Sequence, residues 1–286
     1  MAQSLYVVAT PLGNLEDLSP RARRVLQETD WIACEDTRRS GRLLEHLGVD
    51  RQGRPLISYH EHNEEERTPQ LLRRLQDGQS GALVSDAGTP LLSDPGYRLV
   101  RACRQAGIEV VPIPGPSAAV AALSVSGLPC DRFLFAGFPP PKATAQRRFF
   151  EELAAQEVLL IFYLSPHKLA STLKRMREVL GERRAFLARE LTKLHETHYL
   201  GTLGDIIGSL QAETPRGEYT LLVEGASGAG ESEPHLDAEA YVEGLQRLRG
   251  LSRADAVRQA AQELGIPRGR LYRKVHRRKK NVPSDV

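Results

Sequence analysis

In twelve residues, Ser85-Asp86-Ala87-Gly88-Thr89-Pro90-Leu91-Leu92-Ser93-Asp94-Pro95-Gly96 carries two acids, two glycines, two prolines, two serines and a threonine. Pro90 and Pro95 have no amide to donate, and Gly88 and Gly96 admit positive φ, so the segment cannot continue the apolar run Ala82-Leu83-Val84 before it. The pattern predicts a fixed polar loop at the carboxyl end of a strand, where open α/β sheets bind ligands. A plain turn does not need so many special residues.

Other polar clusters also lie at the ends of apolar runs. They are Thr10 to Asn14, Glu35 to Arg38, Pro114 to Ser117, Arg189 to Lys193 and Gly217 to Tyr219. In a parallel sheet the first three converge with the 85–96 loop on one edge, and the last two form an opposing wall. Such a cleft suits a nucleoside-bearing cofactor with a zwitterionic end. Several other chemistries are excluded. The chain has no G-x-x-x-x-G-K-[ST] phosphate loop, no G-x-G-x-x-G after its first strand and no G-x-S-x-G elbow. His60-Glu61-His62 lacks further ligands at metal spacing, so no metal is expected.

The elements that must position these loops alternate. Leu5–Ala9, Trp31–Cys34, Leu56–Tyr59, Ala82–Val84 and Ile108–Ile113 read as strands. Helices are expected from Pro20 to Glu28 with Ser19 as N-cap, from Arg42 to Leu47, from Leu71 to Gln76, and from about Gly96 to Gln105. This alternation predicts a mainly parallel sheet covered on both faces. After a helix from Ala118 to Ser126, the second half is richer in strands: Arg132–Phe138, Glu157–Tyr163, a strand from Arg184, His195–Leu200 and Glu218–Glu224. Mixed pairing is expected there. The chain is thus divided into an α/β unit at 1–116, a second at 117–226, a Gly/Ser-rich linker at 227–236, and a helical module at 237–280 of helix-turn-helix type.

The 286 residues are 41% apolar and 26% charged, as in a globular protein, and no run of eighteen apolar residues marks a membrane span. The start lacks a basic, apolar leader, and three scattered cysteines fit reduced thiols, so the chain is expected to be cytoplasmic. Net charge is only +3, yet eight of the 39 Lys and Arg residues lie between Arg268 and Lys280 with no acid among them. The remaining 31 are outnumbered by the 36 acids. A polyanion contact localised to the C-terminal end is expected.

Taken together, Thr-Pro-Leu-Gly-Asn at 10–14, Glu-Asp-Thr-Arg at 35–38, Ser-Asp-Ala-Gly-Thr-Pro at 85–90, Ser-Asp-Pro-Gly at 93–96, Pro-Gly-Pro-Ser at 114–117 and Ala-Arg-Glu-Leu-Thr-Lys at 188–193 resemble the ribosomal RNA small subunit methyltransferase I family, in the tetrapyrrole-methylase-like group. The resemblance implies two α/β domains of that type with a cofactor cleft between them, plus a helix-turn-helix extension. It implies S-adenosylmethionine as cofactor, and 2′-O-methylation of a cytidine in the decoding region of 16S rRNA, on the RNA or the 30S subunit, by a cytoplasmic homodimer. By resemblance, Pro11, Gly13, Asp86, Ala87, Gly88, Thr89, Pro90, Asp94, Pro114, Gly115 and Ser117 hold the cofactor from the first unit, and Glu190, Gly217 and Glu218 from the second. Acid/base or orienting candidates are Glu35, Asp36, Arg38 and Lys193, with loop capping or a structural ion pair as the competing reading. Ser165-Pro166-His167-Lys168 departs from the family's serine-x-histidine-arginine pattern but keeps the charge. Two alternatives stand beside this: a small-molecule tetrapyrrole or corrinoid precursor methylase, and a ligand-sensing helix-turn-helix regulator of nucleic acid.

Overall fold

The computed structural model describes residues 3–50, 53–212, 214–226 and 238–263. The chain forms two compact units that divide between Ala226 and Ser227. The first contains both sheets.

The first sheet contains β1 (Ser4–Val8), β2 (Trp31–Cys34), β3 (Leu56–Ser58), β4 (Gly81–Val84) and β5 (Glu109–Ile113). Their order is β3-β2-β4-β1-β5, and every neighbouring pair is parallel. Because the strands are covered on both faces, they are short continuous apolar runs. Helices α1 (Pro20–Glu28) and α2 (Thr37–His46) pack Val25, Leu26 and Leu44 against Val8, Ile32 and Ala82. On the other face α3 (Glu64–Gln76) and α4 (Tyr97–Gln105) pack Leu71, Leu75 and Leu99 against Leu5, Trp31 and Leu83. Trp31 pairs with Gly81, and a Cβ on Gly81 would fall inside the indole. That glycine is what lets the buried tryptophan lie across β4.

α1 has the expected bounds: Ser19 Oγ accepts from the Ala22 amide and Pro20 opens the first turn. Two helices start earlier than expected. α2 begins at Thr37, not Arg42, because the Asp36 carboxylate caps it, accepting from the amides of Arg38 and Arg39 at 2.8 and 3.3 Å. α3 absorbs the polar run after His60, since Glu64, Glu65 and Glu66 suit the positive end of a helix dipole. Pro69 lies inside this helix without ending it.

After α5 (Ala118–Ser126) the second sheet is built from β6 (Phe133–Gly137), β7 (Leu159–Leu164), β8 (Arg184–Arg189), β9 (Thr197–Thr202) and β10 (Tyr219–Val223). The order is β6-β7-β10-β8-β9. Only β6 and β7 are parallel, so the pairing is mixed as expected. α6 (Ala143–Leu153), α7 (Leu169–Leu180) and α8 (Leu203–Ser209) cover one face through Phe150, Leu173, Met176 and Ile206. α5 covers the other through Ala119 and Ala122, which pack with Ile161, Phe186 and Leu222. β9 lies two residues beyond the expected start, because 190–196 turns instead of pairing.

The second unit contributes α9 (Ala238–Arg249) and α10 (Arg253–Glu263), joined through Val242, Leu245, Ala256, Val257 and Ala260. Ser252 caps α10 by accepting from the Asp255 amide at 3.2 Å. The expected linker at 227–236 and the basic third helix from Arg268 to Arg278 lie outside the described residues. Among the described residues no helix is long and apolar enough to cross a membrane, and no group of acids, histidines and cysteines is arranged to hold a metal.

Candidate active site

β4 lies between β1 and β2, so the loop that follows it emerges at the middle of the sheet's carboxyl edge. Its neighbours grip it there. Thr10 and Gly88 exchange backbone hydrogen bonds at 2.9 and 3.0 Å, forming an antiparallel bridge beyond the parallel strands. Thr10 Oγ1 donates to the Ser85 carbonyl at 3.1 Å, and Thr89 Oγ1 donates to the Pro116 carbonyl at 2.9 Å. Gly88 has a φ of +84°, and a Cβ there would stand 3.2 Å from Leu12. Three loops that are far apart in sequence are therefore fastened into one frame. It contains the expected cofactor-holding positions Pro11, Ala87, Gly88, Thr89, Pro90, Pro114 and Gly115.

Asp86 reaches sideways to the β2 loop. Its Oδ1 accepts from the Asp36 amide at 3.2 Å, and its Oδ2 pairs with Arg39 at 3.1 Å. Around it the charge is mostly negative. Glu35 remains accessible, but partial loss of solvent and the nearby Asp86 charge push its carboxyl up. Asp94 is half-buried, and desolvation, with smaller effects of Glu35 and Asp86, pushes it up to about 6. The Ser85 hydroxyl opposes this shift, yet its enclosed oxygen has no partner at hydrogen-bond distance.

The opposing wall is a knot of three side chains. Lys193 Nζ binds Glu190 Oε1 at 2.8 Å and Glu218 Oε2 at 3.0 Å, while the Glu218 amide donates to the same Glu190 oxygen at 2.9 Å. Burial disfavours the charge on both Glu190 and Lys193. Their mutual bonds outweigh it, so Glu190 lies below the usual carboxylate range and Lys193 above the usual lysine range. Glu190 and Thr192 adopt left-handed φ values of 54° and 66° to make this turn. A Cβ on Gly217 would overlap the Glu190 carboxylate, and one on Gly13 would overlap Lys193 Cγ. Gly13 and Gly217 are thus needed for close approach.

Between the walls lies a cavity of about 350 Å³. Of the expected residues, Asp86, Ala87, Gly88, Thr89, Asp94, Gly217 and Glu218 line it. Pro11, Gly13, Pro90, Pro114, Gly115, Ser117 and Glu190 frame it from adjoining positions without lining it. The four acid/base candidates do not line it either. Asp36 serves as the α2 cap, Arg38 is exposed and pairs with Asp36, Lys193 is held by two glutamates, and Glu35 is close enough for its charge to act on Asp94 and to feel that of Asp86. Leu12 and Ser93, from the expected 10–14 and 85–96 loops, line it, and so do Phe138 and Tyr163, which the sequence does not single out. Phe138 packs edge-on against Tyr163, with ring centroids 5.5 Å apart. A hydroxyl-bearing aromatic near the end of an otherwise apolar strand is the sign of Tyr163 in the sequence. Ser117 precedes α5 without capping it, and its enclosed hydroxyl has no partner.

Residues 4–207 match the pattern of the tetrapyrrole (corrin/porphyrin) methylases. A ribosomal RNA small subunit methyltransferase I from Synechocystis is 48% identical over 271 residues, covering 94% of this chain and 95% of the other. One from Escherichia coli O157:H7 is 46% identical over 272 residues, covering 94% and 93%. The chain belongs to the ribosomal RNA small subunit methyltransferase I family of the tetrapyrrole methylases. The same fold occurs in solved structures of distant sequence. The methyltransferase CobJ superposes with a TM-score of 0.60 at 22% identity, covering 78% of this chain and 94% of that one. A uroporphyrin-III-C-methyltransferase from Thermus thermophilus gives 0.53 at 23%, with the same coverage. The two-sheet body with a cleft is therefore the family's architecture, as the resemblance implied. The interlocked loops at its edge belong to a methyltransferase.

Proposed function

We propose that this chain is an S-adenosylmethionine-dependent methyltransferase acting on the ribose 2′-hydroxyl of a cytidine in the decoding region of 16S rRNA. The observation that carries this reading is the charge of the cavity. Among the described residues, Asp86, Asp94 and Glu218 line it and no basic side chain does, in a chain nearly half identical to ribosomal RNA small subunit methyltransferases I over almost its whole length. An acid-lined cavity fits a donor that carries a sulfonium and an ammonium. Leu12, Phe138 and Tyr163 offer it apolar surface for a nucleoside. The amide-rich start of the nine-residue α5, whose first residue Ala118 lines the cavity, offers donors for the carboxylate end.

When bound, S-adenosylmethionine supplies an electrophilic methyl group. The protein's part is positional. The Thr10–Gly88 frame holds Ala87 to Thr89 against one side, and the Glu190–Lys193–Glu218 knot holds the other at a set distance. Rate in such a transfer comes from in-line placement of acceptor and methyl. In this reading Glu35, Asp36 and Arg38 support the Asp86 side, and Lys193 supports the far wall. The basic stretch Arg268 to Lys280 supplies the RNA contact. The cytoplasmic homodimer is carried over from the family resemblance. The three free cysteines, two of them buried, agree with a reducing compartment.

The test is transfer of labelled methyl from S-adenosylmethionine to 30S subunits lacking the modification, followed by mapping of the modified nucleotide. Label at one cytidine 2′-oxygen is expected. Cofactor binding without any transfer to rRNA would point instead to a small-molecule acceptor. Absence of cofactor binding would end the methylase reading.

A further inference from the structure

We infer that Asp94 is the group that takes the proton from the acceptor hydroxyl, an assignment that rests on the methyltransferase reading. Among the described residues three carboxylates line the cavity, and two are already engaged. Asp86 is paired with Arg39 and bonded to the Asp36 amide, and Glu218 is paired with Lys193. Asp94 has neither kind of partner: among the described residues no cation pairs with it. It caps no helix either, since α4 starts from Gly96 with no side-chain cap.

Its placement is enforced. Leu91 and Ser93 on its N-terminal side have left-handed φ values of 75° and 65°, and Gly96 has a φ of 137°. Non-glycine residues avoid that region unless the surroundings impose it, and such imposed conformations gather at active sites. Here the imposing contacts are visible. A Cβ on Gly96 would stand 2.8 Å from Leu83 and 3.0 Å from Leu91, so the turn is clamped onto the core.

The groups acting on Asp94 are Ser85 and Asp86 in its own loop and Glu35 after β2, while burial and Asp94 together make the Tyr163 hydroxyl on β7 harder to ionise. None is a cation. The environment therefore raises the basicity of Asp94, its carboxyl being pushed up to about 6, yet leaves it ionised at neutral pH. That is the state a general base requires. The step balances. An O–C bond forms at the ribose oxygen as the S–C bond breaks, the sulfonium departs as a neutral thioether, and the hydroxyl proton passes to the Asp94 carboxylate.

The competing role for Asp94 is to hold the ammonium of the donor, and one experiment separates the two. Full-length Asp94→Asn and Asp94→Glu are titrated with S-adenosylmethionine by calorimetry and assayed for methyl transfer to undermethylated 30S subunits between pH 5 and 9. For Asp94→Asn, which leaves Asp86 and Glu218 in the wall, we expect affinity lowered by no more than about tenfold and transfer at saturating cofactor slowed about 100-fold or more. The parent rate should rise with pH through about 6 and then level, a limb the asparagine variant lacks. Asp94→Glu should recover part of the rate. The assignment is overturned if saturating cofactor restores a rate near the parent's to Asp94→Asn, or if that variant retains the limb. If the parent itself transfers nothing to 30S subunits, it is the rRNA reading that fails.

Discussion

Lys193 lays its side-chain carbons over the bare Cα of Gly13, so that a residue of the second sheet's wall rests on the first sheet's opening loop. The ammonium beyond those carbons is gripped by Glu190 and Glu218. The lysine stem therefore has little freedom to step aside. Gly13→Ala should lower stability by about 1–3 kcal/mol through overpacking, measured by denaturant unfolding. In a Lys193→Ala background the same change should be nearly neutral. Equal penalties in both backgrounds would mean that the two residues do not meet.

The same knot sets a pH dependence. Glu190 has a lowered pKa when folded, so its contribution is present above the ordinary glutamate value and lost as the pH falls through the lowered one. Lys193 has a raised pKa, so its contribution is present below the ordinary lysine value and lost as the pH climbs through the raised one. Between roughly pH 4.3 and 10.4 both act. Both side chains are about a quarter exposed, so solvent screening limits the pair to about 1 kcal/mol or less. Lys193→Met should be less stable than the parent at pH 7, with the gap closing at pH 3. A gap that is independent of pH would assign the effect to packing alone.

Asp86 should matter more for the ligand than for the fold. Asp86→Ala removes a carboxylate from the cavity wall and frees Arg39, which is exposed. Calorimetry should show S-adenosylmethionine binding weakened roughly tenfold or more, about 1.4 kcal/mol. Arg39→Ala should change that affinity much less.

Asp36 separates the other way. Its side chain caps α2 while its backbone amide serves Asp86. Asp36→Ala should lower the melting temperature by a few degrees, and Asp36→Ser, which keeps a capping oxygen, should restore most of it. Cofactor affinity should follow neither change closely. A transfer rate abolished in Asp36→Ser would show a chemical role that the cap does not explain.

Truncation after Gly230 removes the basic stretch and the two C-terminal helices but leaves the unit that contains the cavity. Cofactor binding should persist, and methylation of 30S subunits should fall and lose much of its sensitivity to salt. Full-rate methylation by the truncated chain would remove the C-terminal end from RNA recognition.

The parallel sheet was legible because its strands are short apolar runs bounded by proline, glycine and acids, and α1 carried both a Ser19 cap and a Pro20 start. The early starts of α2 and α3 were not. Asp36 reads equally as a catalytic acid or a cap, and the acids at 64–66 together with Pro69 read as loop until the helix dipole is considered. The loops of the first wall were identified by composition, because a fixed turn needs unusual residues. Phe138 and Tyr163 were not, because an aromatic facing a cavity is indistinguishable in sequence from one facing a core. The four acid/base candidates stand out in the sequence by side-chain chemistry alone. The fold shows Asp36 and Lys193 employed in holding backbone and partner charges.

The bridge between Thr10 and Gly88 makes a hydrogen-exchange signature of the loop. Loop amides ordinarily exchange by small local openings. Here the Gly88 amide is bonded to a fully enclosed residue that continues β1, itself flanked by β4 and β5. Releasing it means prising apart the centre of the sheet. Its protection should therefore approach that of strand amides even without ligand, and ligand should add little to it. The binding surface is assembled when the protein folds, so a ligand meets it ready-made.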